Sequence, residues 1–259
     1  MRFAVAFILI VATSVCFVAW AYQDRLIFFP EKLPLNYKYE FDGKFEEDFI
    51  QVGDSRINTL LFSVQNPQGI VFYFHGNAGS LRSWGRIARD FLPYNVDVLI
   101  MDYPGFGKSS GEISEEKMYL MADAIFTRYS KKYTKSYLFG RSIGSGVATW
   151  LAAKRSPDML LLESPLYNLA DLAAFHYPWF PSNLLRFHFR NDIRMKDVKC
   201  PVYVIHGTAD EVIPFSESVH LTESSLTNMK LTVVNGGHHN DLSLFPEHAA
   251  WMKEIFSRN

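Results

Sequence analysis

Cysteine is nearly missing from this chain. Only Cys16 and Cys200 occur among 259 residues. One lies in an N-terminal apolar run and the other just before Pro201, so neither a disulfide nor a cysteine-based metal site is expected. Charge of either sign is also not in excess. Twenty-six Lys and Arg balance 27 Asp and Glu for a formal net charge of -1, which gives no support for nucleic-acid binding, a function that calls for a basic surface. No His-Glu-x-x-His pattern and no clustered carboxylates appear, so no metal is expected, and no cofactor is called for. Internal repeats and low-complexity segments are absent too. What remains is an ordinary globular composition, 48% apolar and 20% charged, long enough for a substantial core.

The first 22 residues differ from the rest. Phe3 to Tyr22 carry no charge, and at about 1.5 Å per residue they would span roughly 30 Å as a helix. The run lacks the polar face of a helix packed on a core. It is longer than a usual signal-peptide core, although Ala19-Trp20-Ala21 has the small-x-small form of a cleavage site. The expectation is therefore an uncleaved transmembrane signal anchor at 1–22, with a cleaved signal peptide as the alternative. With Arg2 on the cytoplasmic side, a single-pass membrane protein would hold its following domain outside the cytoplasm. A proline-punctuated connector, 23–44, comes next.

From Phe45 onward the pattern is that of an α/β domain. Phe45 to Val52 and Arg56 to Val64 read as a hairpin around Gly53-Asp54-Ser55. Ile70 to Phe74 is a continuous apolar run, as expected of a strand buried on both faces. Similar runs recur at 96–101, 136–139, 159–162, 202–205 and 231–234. Between them lie segments of helical character at 81–92, 115–131, 143–155, 214–225 and 243–256. Strands alternating with helices imply a mostly parallel sheet with helices on both faces, and ligands on such sheets bind at the carboxyl ends of the strands. One connection, 164–198, is too long for a simple crossover and rich in aromatics and proline. It is expected to form a small cap over the site.

The chemistry is expected at those strand ends. Gly140-Arg141-Ser142-Ile143-Gly144 ends one apolar run and opens a small-residue helix, the layout of a nucleophile elbow. Alone it is weak, since a chain of this length contains the pattern by chance roughly 0.1 times. Two later strand ends change its meaning. One is followed by His206-Gly207-Thr208-Ala209-Asp210 and the other by His238-His239-Asn240-Asp241. Ser142, Asp210 and His239 thus follow three different strands in the chain order Ser, Asp, His. His75-Gly76-Asn77-Ala78-Gly79 follows the first buried strand and can offer backbone N–H groups to an oxyanion.

On these motifs, together with Asp102-Tyr103-Pro104-Gly105-Phe106-Gly107, the chain resembles the α/β-hydrolase superfamily across 45–259. The closer resemblance is to small membrane-anchored serine hydrolases, including the α/β-hydrolase-domain depalmitoylases and serine aminopeptidase-like hydrolases. The resemblance implies Ser142 as nucleophile, His239 as base and Asp210 as its orienting acid. It implies the backbone N–H groups of Asn77 and Ile143 as an oxyanion hole. His239 is preferred to His238 because it directly precedes Asn-Asp. Glu163 is a weaker alternative acid, His75 is expected to support the oxyanion loop, and His176 and His188 are expected to pack or face solvent. Tyr177, Trp179, Phe180 and Phe187 either pack the insert onto the sheet or help wall an apolar acyl pocket. The expected activity is hydrolysis of carboxylic esters or thioesters of apolar, acylated substrates. Its rivals are amide or peptide cleavage by the same residues and a non-catalytic binding protein on the same fold.

Overall fold

The computed structural model describes residues 2–224 and 228–257. Its N-terminal helices are α1 (Arg2–Ala21) and α2 (Gln23–Ile27), followed by the two-residue strand β1 (Phe29–Pro30). The hairpin is β2 (Phe45–Val52) with β3 (Ser55–Phe62), and the first buried strand is β4 (Ile70–Phe74). After β5 (Ala78–Gly79) and α3 (Leu81–Trp84) come β6 (Asp97–Met101), α4 (Glu115–Tyr129), β7 (Ser136–Arg141) and α5 (Gly144–Lys154). The chain continues through β8 (Met159–Glu163), α6 (Leu169–His176), α7 (Asn191–Arg194) and β9 (Val202–Gly207). It ends with α8 (Phe215–Ser224), β10 (Met229–Val234) and α9 (Pro246–Phe256).

Eight strands form the main sheet in the order β10-β9-β8-β7-β4-β6-β3-β2. The six from β10 to β6 are parallel, and β3 and β2 join antiparallel at one edge. The continuous apolar runs have a simple cause. In β4, Ile70, Phe72 and Phe74 enter one core layer while Val71 and Tyr73 enter the other. Leu160 and Leu162 of β8 divide from Leu161 in the same way. A strand covered on both faces has no polar side to alternate with.

The helices show which faces they bury. Met118, Met121, Ala122, Ile125 and Tyr129 of α4 lie on one side of the sheet at the spacing of one helical face. The Ser114 hydroxyl caps this helix by accepting from the Lys117 N–H at 3.1 Å. Trp251, Met252, Ile255 and Phe256 of α9 cover the other side, and Pro246 stands at its first position.

Two expectations are corrected here. The segment 81–92 is not one helix: α3 stops at Trp84 and tight 3₁₀ turns follow over Gly85–Asp90. Gly85 lies against Phe41, where an added Cβ would come within 2.3 Å of the ring, while Leu81, Ala88 and Phe91 bury their side chains in the core beneath.

The second correction concerns the membrane. Among the described residues no helix is long and apolar enough to cross one, so the single-pass anchor and the extracytoplasmic placement built on it do not stand. The end of α1 is instead held by the folded domain. The Ala21 carbonyl accepts from Arg186 Nη1 at 3.3 Å. Gln23, just beyond, is buried and bonded to the 164–198 insert. Of the expected helix at 214–225, α8 accounts for Phe215–Ser224, and Ser225 lies outside the described residues.

Candidate active site

The turn between β7 and α5 is set by sterics. Ser142 has φ of +55°, a left-handed conformation that costs a non-glycine residue about 1–3 kcal/mol. The glycines on either side of it are closely packed. A Cβ on Gly144 would lie 2.2 Å from the Phe74 carbonyl oxygen, and one on Gly140 would lie 2.7 Å from that of Gly144. The Ser142 N–H donates to the Glu163 carbonyl at 2.9 Å. The hydroxyl is thereby held above the carboxyl ends of β7 and β8.

Two loops meet it there. His239, on the loop after β10, places Nε2 3.1 Å from Ser142 Oγ and Nδ1 2.8 Å from Asp210 Oδ2. Asp210 follows β9, and its Oδ1 accepts the backbone N–H groups of Val212 at 2.9 Å and Ile213 at 2.8 Å. Burial alone would raise the Asp210 carboxyl. Hydrogen bonds from His206 and His239 and the Ile213 amide outweigh it, so the group lies well below the usual carboxylate range. An ionised Asp210 accepts a hydrogen bond from His239 Nδ1–H, which fixes the proton on that nitrogen and leaves Nε2 bare to accept from the serine hydroxyl. All three residues are buried.

His206 was not singled out as a site residue by sequence reasoning. Its Nε2 sits 3.2 Å from Asp210 Oδ2 and 2.9 Å from the Ile213 carbonyl, two acceptors that call for a proton on that nitrogen. Its Nδ1 then accepts from the Ser218 hydroxyl at 2.6 Å. Asp210 Oδ2 therefore lies between two imidazoles. The only sequence signal was the motif His206-Gly207 itself.

Arg141 was likewise overlooked. Its Nη2 donates to the His239 carbonyl at 3.0 Å and to Asn240 Oδ1 at 3.1 Å, while Nε pairs with Glu163 at 3.0 Å. Glu163, the weaker candidate acid, is thus turned toward Arg141, with His248 Nε2 3.6 Å from its other oxygen. Burial opposes ionisation of Glu163, but the Arg141 charge and the His248 contact hold it below its ordinary value. This largely buried pair braces the loop that carries His239.

His238 is exposed and faces Glu211 at 3.0 Å. His75 is buried under the oxyanion-loop candidate. Its ring stacks on Trp84, and its carbonyl accepts from the Tyr103 hydroxyl at 2.6 Å. His188 lies at the surface of the insert, whereas His176, expected only to pack or face solvent, lines the cavity above Ser142 and places Nε2 2.8 Å from the Val212 carbonyl.

A cavity of about 550 Å³ opens above Ser142, with Asn77 and Ile143 beside the serine. Among the described residues neither of their backbone N–H groups donates to another backbone carbonyl. Of the four aromatics expected in a pocket, Tyr177, Trp179 and Phe180 line the cavity. Tyr177 and Trp179 are each 57% exposed and form its rim. Phe187 does not line it. Its ring is 2% exposed and packed against Phe28 at 5.0 Å. Leu166, Leu169, Leu172 and Ala173 supply much of the wall instead, the last three at helical spacing on α6. That spacing was legible in the sequence, though the face it presents was not.

Comparison with known proteins gives the family. A family described as serine aminopeptidase, S33, matches residues 65–191. An uncharacterized protein of Mycobacterium tuberculosis is 32% identical over 248 residues, covering 93% of this chain and 88% of the relative. Alpha/beta hydrolase domain-containing protein 17B of Xenopus laevis is 30% identical over 218 residues, covering 81% and 70%. A Pyrococcus furiosus esterase structure is similar with a TM-score of 0.70 at 18% identity, covering 90% of this chain and 97% of that one. Fold, sheet order and these relatives together show that the chain is an enzyme of the hydrolase class and belongs to the α/β-hydrolase superfamily.

Proposed function

We propose that this protein hydrolyses carboxylic esters or thioesters with an apolar acyl group, using Ser142, His239 and Asp210 as a catalytic triad. One observation carries the reading: the Ser142 hydroxyl stands in line with His239 and Asp210 on the floor of a largely apolar cavity.

In the proposed reaction, His239 Nε2 takes the hydroxyl proton as Ser142 Oγ bonds to the acyl carbon. The carbonyl electron pair moves onto oxygen, which the N–H groups of Ile143 and Asn77 receive. Each such donor contributes about 3 kcal/mol to lowering the barrier. Collapse breaks the bond to the leaving oxygen or sulfur, which takes the proton from His239. Water then attacks the acyl-enzyme by the same route, returning its proton to Ser142 and releasing the acid. Residues 45–259 are the hydrolase unit in this scheme, and 164–198 form the cap that shapes the acyl side.

The rival amide reading rests on the aminopeptidase description of the matching family. A site for a free α-amine needs a carboxylate to meet it. Among the described lining residues the one carboxylate is Glu211, already paired with His238 at 3.0 Å. The remaining lining is mostly apolar, which favours an acyl chain.

Labelling by a fluorophosphonate probe, followed by assays on esters, thioesters and aminoacyl amides, tests the proposal. The expected result is labelling that disappears in Ser142→Ala, with esters or thioesters turned over faster than amides. Labelling that persists in Ser142→Ala overturns the assignment of the nucleophile. Failure of the native protein to label would favour a binding role.

A further inference from the structure

The segment 19–29 does more than lead into the domain. Gln23 is buried, and its side-chain amide pairs with the insert as another peptide unit would. Nε2 donates to the Leu184 carbonyl at 2.7 Å, and Oε1 accepts from the Arg186 N–H at 2.8 Å. A buried amide keeps this geometry because losing either partner leaves a polar group unsatisfied.

Six residues on, the chain is fixed again at the oxyanion-loop candidate. Asn77 Nδ2 donates to the Ile27 carbonyl at 2.6 Å, and the Phe29 N–H donates to the Asn77 carbonyl at 2.8 Å. Here β1 pairs with β5. Phe28 is a peg between the two fixings, its ring packed on Phe106, Phe187 and Phe189. The segment therefore runs as a strap from the insert to the loop beside Ser142. Ala19, Gln23, Leu26, Ile27 and Phe29 turn toward the cavity and form one of its walls.

Resting on the acyl-hydrolase reading above, we propose that this strap is the chain-length determinant of the enzyme. Acyl chains extend from Ser142 along Leu26, Ile27 and Ala19, between the strap and the insert, and Gln23 latches that channel shut. The apolar N-terminal run is, at its end, substrate-binding surface. The same Asn77 that ends the strap stands at the oxyanion side, so a chain lying in the channel orders the loop its carbonyl needs.

The test reads the ratio of kcat/KM for 4-nitrophenyl dodecanoate to that for the butyrate. In the native enzyme the ratio is expected to climb by about fourfold for each methylene that the channel buries. Ala19→Trp fills the channel without touching the latch, and Gln23→Ala opens the latch without adding bulk. Each is expected to lower the ratio by about tenfold or more, equivalent to two or so methylenes no longer covered, mainly through KM for the longer ester. Phe17→Ser, at an exposed position away from the cavity, leaves the ratio as it is. Fluorophosphonate labelling of each variant shows that the folded site survives. A native preference for the long ester that both strap variants retain overturns the strap while leaving the acyl reading intact. A native enzyme indifferent to chain length overturns the acyl reading, and the strap with it.

Discussion

Replacing Asp210 by Asn tests the proposed relay at its least forgiving point. The two sides of that carboxylate differ. Oδ1 receives two fixed backbone N–H groups, from Val212 and Ile213. Oδ2 receives His239 Nδ1 at 2.8 Å and lies 3.2 Å from His206 Nε2. An asparagine must put its amide oxygen toward the two backbone donors, because those cannot move. Its NH₂ group then faces both imidazoles. To accept from that NH₂, His239 must shift its proton to Nε2, the nitrogen that has to take the serine proton. His206 has no such escape, since its Nε2–H is also needed by the Ile213 carbonyl.

The expected loss is about 10,000-fold in kcat, or ~5.4 kcal/mol in the barrier, the size seen where a serine hydrolase base is forced into the wrong tautomer. KM for a small ester should change little, because Asp210 does not line the cavity. The assay is kcat and KM on a chromogenic short ester, with thermal melting to verify the fold. A variant within about tenfold of the native kcat would refute this reasoning, and would turn attention to Glu163.

Other outcomes follow from the same structure. Glu163→Gln leaves Arg141 buried without its counter-charge and should destabilise the protein by ~3 kcal/mol in neutral urea titrations. Because the Glu163 carboxyl is held below its ordinary value, the pair stabilises the fold above the usual carboxylate range and stops doing so as pH falls through the lowered folded value. The gap between variant and native protein should therefore narrow in acid, and a gap constant with pH would count against the pair. Phe187→Ala and Trp179→Ala should separate two aromatics that look alike in sequence. The first removes a fully packed ring and should cost about 3–5 kcal/mol of stability. The second, at the exposed rim, should leave the melting temperature nearly unchanged and alter KM for acyl esters. The reverse result would exchange core and rim.

The sequence by itself determined the elements whose causes are local. A strand covered on both faces must be apolar throughout, so β4, β6, β7, β8 and β9 were legible as runs of one character. The elbow was legible because only glycine tolerates the close approach at 140 and 144. The chain order of Ser142, Asp210 and His239 needed only strand ends to be recognised. Tertiary structure decided what depends on pairs distant in the chain. Asp210 follows one strand and Glu163 ends another, but which one faces His239 is a matter of how distant parts of the chain meet. His206 and Arg141 entered the site the same way. So did Gln23, whose partner Leu184 is 161 positions away. Composition also could not say what covers an apolar run. Hydrocarbon and the apolar wall of a protein cavity ask for the same side chains, and it is tertiary contacts, among them the hydrogen bonds at Ala21 and Gln23, that tie the end of this one to the domain that carries Ser142.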